Sequence, residues 1–233
     1  MAIKSHIPNT ITCCNLVSGS IATYFAVVGN MELSFFWIIA GAVFDFFDGM
    51  SARLLGVSSP IGKELDSLAD VITFGLAPST MVFSLMGVME YPAFLEPVGY
   101  FIPFLAFVMA AFSALRLAKF NLDKRQTTSF IGLPTPANAL FWASLIVGGG
   151  EWYASSPWMI FAILAGICLA SWLLIAEIPM FALKFKHWGW AGNEVKYIFI
   201  ITCIPLLLIF RVAAFAVIIA WYVLLSVYVN RKK

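Results

Sequence analysis

The sequence predicts an all-α, polytopic membrane protein with about eight transmembrane helices, forming one domain over residues 1–233. Three observations carry this. Hydrophobic residues make up 62% of the chain and charged residues 11%, against about 25% charged in an average soluble domain. The apolar residues fall in long blocks between short polar breaks, several near the roughly 20 residues a helix needs to cross the hydrocarbon core. The basic residues sort almost entirely to one side of the map those blocks define.

Eight candidate spans follow in order: 11–29, 33–55, 64–88, 98–120, 134–149, 157–178, 195–210 and 212–229. The first is broken by Thr, Cys, Asn and Gly and is followed by many more, unlike a cleaved signal peptide. Breaks fall at Gly29-Asn30, Tyr91-Pro92, Pro134 and Pro136, Gly148-Gly149-Gly150 and Ser156-Pro157. The fifth and seventh spans are short. The seventh carries Pro205, a source of kinking, and meets the eighth at Arg211. Cys13, Cys14, Cys168 and Cys203 show no CxxC or Cys/His spacing. They are expected to pack as small core residues.

On an eight-span map, thirteen of the fourteen Lys and Arg share a side with the two termini; Arg211 alone lies opposite. The positive-inside rule then predicts a protein of the cytoplasmic membrane, with both termini and the basic loops in the cytoplasm. Lys124, Arg125, the 184–196 cluster and the basic C-terminus read as contacts to anionic lipid. His6 and His187 read as interfacial polar residues. Trp37, Trp152, Trp158, Trp188 and Trp190 lie near span ends and read as an aromatic belt. Nothing suggests nucleic-acid binding.

Against this background FDFFDGMSAR, residues 44–53, is anomalous. Asp45 and Asp48 stand three apart in the cytoplasmic half of the second helix. Asp66 and Asp70 stand four apart at the start of the third. Each pair therefore shares one helix face, and the short connection makes the two helices antiparallel neighbours. An ionised Asp at a helix centre costs about 2.5–3.5 kcal/mol on insertion scales. Such a cluster reads as solvated interfacial carboxylates, as a proton or ion pathway, or as a site for a hard divalent cation; no thiolate or imidazole stands near in sequence to favour zinc. Gly49, Ala52 and Gly62 between the pairs leave room for close approach or for a flat ligand. Arg53 can neutralise phosphate oxygens. Metals, small residues and an Arg together suit a diphosphate leaving group.

The pattern Asp45-x2-Asp48-Gly49-x2-Ala52-Arg53-x8-Gly62-x3-Asp66-x3-Asp70 resembles the signature of the CDP-alcohol phosphatidyltransferase family at every fixed position. The resemblance runs from about residue 8 to about residue 140 and implies that family's fold. It also implies displacement of CMP from a CDP-linked lipid by an alcohol. Two divalent cations, Mg²⁺ or Mn²⁺, would be held by Asp45, Asp48, Asp66 and Asp70, with Asp70 also the catalytic base. Gly49, Ala52 and Gly62 would line the cytidine slot and Arg53 would face the phosphates. The family resemblance further implies a homodimer.

The signature does not choose the alcohol. Residues 114–139, ALRLAKFNLDKRQTTSFIGLPTPANA, resemble the membrane-integral phosphatidylserine synthases of bacteria and archaea, where R-L-A-x-F-N precedes F-x-G-L-P-x-P-x-x-A. The opening Pro8-Asn9-x2-Thr12-x2-Asn15 resembles the same group, adding Asn9 and Thr12 as CDP-lipid contacts. The substrates implied are CDP-diacylglycerol and L-serine. Arg116 could fork onto the serine carboxylate and Asn121 could hold its polar end. Glycerol 3-phosphate is the rival acceptor. A divalent-cation transporter is the reading outside enzymology; it requires polar groups continuing across the membrane, where Glu177, late in the sixth span, nearly stands alone. The role of Glu177 is left open.

Overall fold

A computed structural model describes residues 6–57, 59–123, 130–154, 156–181, 189–190 and 192–231. Lys4, Lys124, Arg125, Lys184, Lys186, His187, Trp188, Lys232 and Lys233 lie outside the described residues. The helices in order are α1 (His6–Val27), α2 (Met31–Leu55), α3 (Pro60–Asp70), α4 (Ala77–Val88), α5 (Phe107–Leu122), α6 (Thr135–Ala154), α7 (Met159–Ile175), α8 (Glu194–Phe210) and α9 (Ala214–Arg231). A π-helical stretch, Val71–Leu76, joins α3 to α4 without a break. Among the described residues the all-α expectation holds but for one two-residue antiparallel bridge, β1 (Phe130–Ile131) with β2 (Pro179–Met180).

Among the described residues, five stretches are long and apolar enough to cross a membrane: His6–Val27, Met31–Leu55, Pro60–Val88, Ile102–Leu122 and Glu194–Asn230. The protein is therefore membrane-integral. The last stretch holds both α8 and α9, folded back on each other at the turn Arg211–Ala213. Trp221 reaches across to donate its indole N–H to Thr202 at 3.1 Å. α7 is a shorter apolar helix of 17 residues.

Three expectations are corrected. The glycine triplet 148–150 does not end a helix, because α6 runs on to Ala154. A Cβ at Gly148 would stand 2.6 Å from the Ala213 Cβ, so this glycine lets the α8–α9 turn approach α6. Glu177 is not in a helix: α7 ends at Ile175, and Glu177 follows the cap Ala176 in the segment leading to β2. The cysteines are not core residues. Cys13, Cys14 and Cys168 are exposed and Cys203 is half-buried. In a bilayer the outer face is as apolar as the interior, so a small hydrophobe suits either.

The core lies between α1, α2, α4 and α6, around Ala22, Ile38, Phe74, Met81, Met86 and Trp142, closed by Ile160 and Ile163 of α7. Buried hydroxyls in α4 turn back on their own helix: Ser79 bonds the Gly75 carbonyl and Thr80 that of Leu76, so neither strands a polar group in the apolar interior. The turn between α2 and α3 is fixed at both ends. Gly56 takes the left-handed conformation (φ 63°) and returns its N–H to the Ala52 and Arg53 carbonyls. Ser59 caps α3 by accepting from the Gly62 N–H at 2.9 Å, with Pro60 in the first turn. The π stretch precedes Pro78, which cannot donate to the residue four before it and whose ring would collide with that carbonyl. Widening the turn there relieves both problems.

Candidate active site

α2 and α3 bring the four aspartates to one place. Asp48 and Asp70 are buried, Asp45 and Asp66 half-buried. Carboxylate oxygens of Asp45, Asp48 and Asp66 lie within 4.8 Å of one another, close enough to hold a metal ion. Asp70 lies near enough to Asp45 and Asp66 for their charges to interact. An oxygen-only donor set of this kind fits a hard divalent cation rather than a thiophilic one. Without a cation, this many carboxylates so close together repel unless some carry protons.

α1 supplies the partners that aim them. Thr12 donates its hydroxyl to the Asp48 Oδ2 at 2.6 Å. Asn15, fully buried, donates Nδ2 to the Asp70 Oδ1 at 3.2 Å. Thr73, in the π stretch just after Asp70, donates to the Asn15 carbonyl at 3.0 Å. These bonds need α1 to lie very close to the π stretch. A Cβ at Gly19 would stand 2.6 Å from the Thr73 Cα, and one at Gly41 only 2.4 Å from the Thr73 Cγ2. Two glycines, one on α1 and one on α2, thus let Asn15 and Thr73 meet.

Beside the carboxylates is a cavity of about 230 Å³ lined by Asn9, Thr12, Asp48, Gly49, Ala52, Gly62, Lys63 and Asp66, among others. It gathers every expected CDP-lipid contact except Arg53. Gly49 has nothing within 4 Å of where a Cβ would stand, so its missing side chain leaves open space. Arg53 is exposed in the last turn of α2 and is not among the lining residues. Sequence reasoning missed Lys63 and Ser59 in this wall. Their signal was proximity to Gly62: Lys63 follows it and Ser59 caps the helix that holds both.

Arg116 and Asn121 part company. Arg116 is buried in α5, donates to the Thr135 hydroxyl at 3.3 Å and lies 5.7 Å over the Phe120 ring. It is near enough to Asp70 for their charges to interact. It lines a second cavity, of about 280 Å³, with Lys119, Asp123 and Glu177. Asn121 does not line that cavity. Its Nδ2 donates to Ser67 at 2.8 Å and its carbonyl accepts from Lys63 at 3.0 Å, tying the end of α5 to α3.

Comparison with known proteins agrees with this geometry. Residues 5–149 match the family model for CDP-alcohol phosphatidyltransferase. The chain is 33% identical over 187 residues to a CDP-diacylglycerol–serine O-phosphatidyltransferase of Bacillus subtilis, covering 78% of this chain and 91% of the relative. An enzyme of the same name from Methanocaldococcus jannaschii is 31% identical over 173 residues, or 74% of this chain and 75% of the relative. One from Mycobacterium leprae is 33% identical over 186 residues, but the match spans only 57% of that longer protein. The four aspartates, the slot beside them and a family match over most of the chain agree: the protein belongs to the CDP-alcohol phosphatidyltransferase family.

Proposed function

We propose that this protein transfers the phosphatidyl group of CDP-diacylglycerol to the hydroxyl of L-serine, giving phosphatidylserine and CMP. The observation that carries the reaction class is the grouping of Asp45, Asp48 and Asp66, with Asp70 beside them, next to a slot lined by Gly49, Ala52 and Gly62. Serine as acceptor is supported by the names of the relatives in Bacillus, Mycobacterium and Methanocaldococcus.

In this reading the cytidine end occupies the slot against Asn9, Thr12, Gly49, Ala52 and Gly62. Arg53 approaches the phosphates from outside, joined by Lys63. Asp45, Asp48 and Asp66, with Asp70, would hold two divalent cations, Mg²⁺ or Mn²⁺. When bound, these would neutralise the diphosphate and the charge left on departing CMP. The serine oxygen attacks the phosphorus that carries the diacylglycerol. A P–O bond to serine forms as the P–O bond to CMP breaks. Asp70 takes the serine hydroxyl proton, with its carboxylate held in orientation by Asn15. Thr12 does the same for Asp48.

The chain acts as a single domain, by the same reading, crosses the cytoplasmic membrane eight times and keeps both termini and the active site on the cytoplasmic side. It associates as a homodimer. The deciding experiment offers purified protein CDP-diacylglycerol and Mg²⁺ with serine and glycerol 3-phosphate in competition. Phosphatidylserine is the expected product; conversion of glycerol 3-phosphate alone overturns the acceptor. A C-terminal tag accessible only from outside the cell overturns the orientation, and a monomer by light scattering in detergent overturns the dimer.

A further inference from the structure

The second cavity has walls of both signs, and that points to what it receives. Arg116 lines it, 7% exposed, with its Nε buried and unpartnered. Asp123 and Glu177 also line the cavity, and Glu177 is exposed. A buried guanidinium with an incomplete set of partners is a costly arrangement, and Arg116 is part of the cavity wall. Glu177 reaches this wall through backbone structure, because the segment after α7 is clamped to the segment before α6. Gly132 donates to the Ile178 carbonyl and Leu133 to the Leu173 carbonyl, each at 2.9 Å. Gly132 has φ 75°, and a Cβ there would stand 2.8 Å from the Leu174 carbonyl, so only glycine allows the clamp.

We infer that this cavity reads a zwitterion, with Arg116 taking the carboxylate of the amino-acid acceptor and Glu177 its ammonium. Glu177 is thereby a specificity-determining residue for an amine-bearing acceptor. The inference rests on the reaction proposed above and assigns the half of serine recognition that Asn121, turned to Ser67, does not supply. A carboxylate on Arg116 leaves the serine hydroxyl on the side of Asp70, whose charge Arg116 already feels.

The test uses the full-length protein with CDP-diacylglycerol and Mg²⁺. Glu177→Gln should raise the KM for serine roughly 10- to 100-fold, the range for losing a charged hydrogen bond. The KM for CDP-diacylglycerol should stay within about twofold, and Glu177→Asp should recover part of the loss. Glycerate, in which a hydroxyl replaces the ammonium, should inhibit the unmodified protein at least roughly tenfold more weakly than the serine KM implies. The glycerate reading stands even if Glu177→Gln fails to fold. A serine KM unchanged in Glu177→Gln, or glycerate inhibiting as well as serine binds, overturns the inference while leaving the proposed reaction intact. Failure of the unmodified protein to use serine overturns the reaction itself, and this reading with it.

Discussion

Replacing Gly19 by Ala adds one methyl group 26 residues from the nearest aspartate in sequence, Asp45, yet it should disable the site. The new Cβ would meet the Thr73 Cα at 2.6 Å and the Thr73 backbone nitrogen at 2.8 Å, where ordinary contact begins at 3.4 Å. Both obstacles are backbone, so no rotamer relieves them. α1 and the π stretch must part by on the order of 1 Å, since packed interiors do not absorb such overlap locally. The Asn15–Asp70 bond, already 3.2 Å, then passes the limit for a hydrogen bond. Overpacking of this kind costs about 1–3 kcal/mol in stability. Loss of a bond to a charged group costs about another 1.5–3 kcal/mol, felt as roughly a tenfold or greater fall in turnover. Gly49→Ala is the matched control: it has open space around it and should leave Tm unchanged while raising the KM for CDP-diacylglycerol. Thermal unfolding in detergent and CMP release read the two effects separately. A Gly19→Ala protein with unaltered Tm and turnover would refute the claim that this close approach positions Asp70.

Three other outcomes are expected. Asp70→Asn should keep the fold, since the Asn oxygen can still accept from Asn15, but lower CMP release by roughly 10²-fold or more; substantial turnover removes Asp70 as base. Thr12→Val deletes the 2.6 Å bond to Asp48 and should raise the Mg²⁺ concentration for half-maximal activity by roughly 10- to 100-fold, read by metal titration after chelation. Asn121→Ala and Ser67→Ala should each destabilise by about 1 kcal/mol, with the double variant costing no more than either alone. Additive losses in that cycle would show that the 2.8 Å contact does not couple α5 to α3.

The sequence carried the site unusually far, because its chemistry is written in helical spacing. Asp45 and Asp48, and Asp66 and Asp70, face one spot by turn geometry alone, and the short turn between α2 and α3 leaves the helices no other arrangement. The small residues of the slot were legible for the same reason. What was hidden lies in contacts between distant segments. Nothing local to Asn121 distinguishes an amide that meets a ligand from one that meets Ser67. Glu177 was assigned to a helix because apolar residues run on past Ile175, and hydropathy does not register the two-residue bridge that follows α7. Cys13, Cys14 and Cys168 were misjudged since lipid and core make the same demand on a side chain. Arg53 sits in the signature, yet its position in the last turn of α2 turns it outward.

The π stretch has one more consequence. A helix advances about 100° per residue, so the additional residue accommodated between Val71 and Leu76 acts as a phase offset between two halves of one rod. On one side of it Asp66 and Asp70 keep their azimuth toward the carboxylate cluster; on the other, Met81, Leu85 and Met86 keep theirs toward the core. Deleting a single residue there would leave the composition and hydropathy of the span almost untouched. It would also turn one half by about a quarter of a revolution, so that the rod could satisfy its apolar interior or its reactive end, and not both.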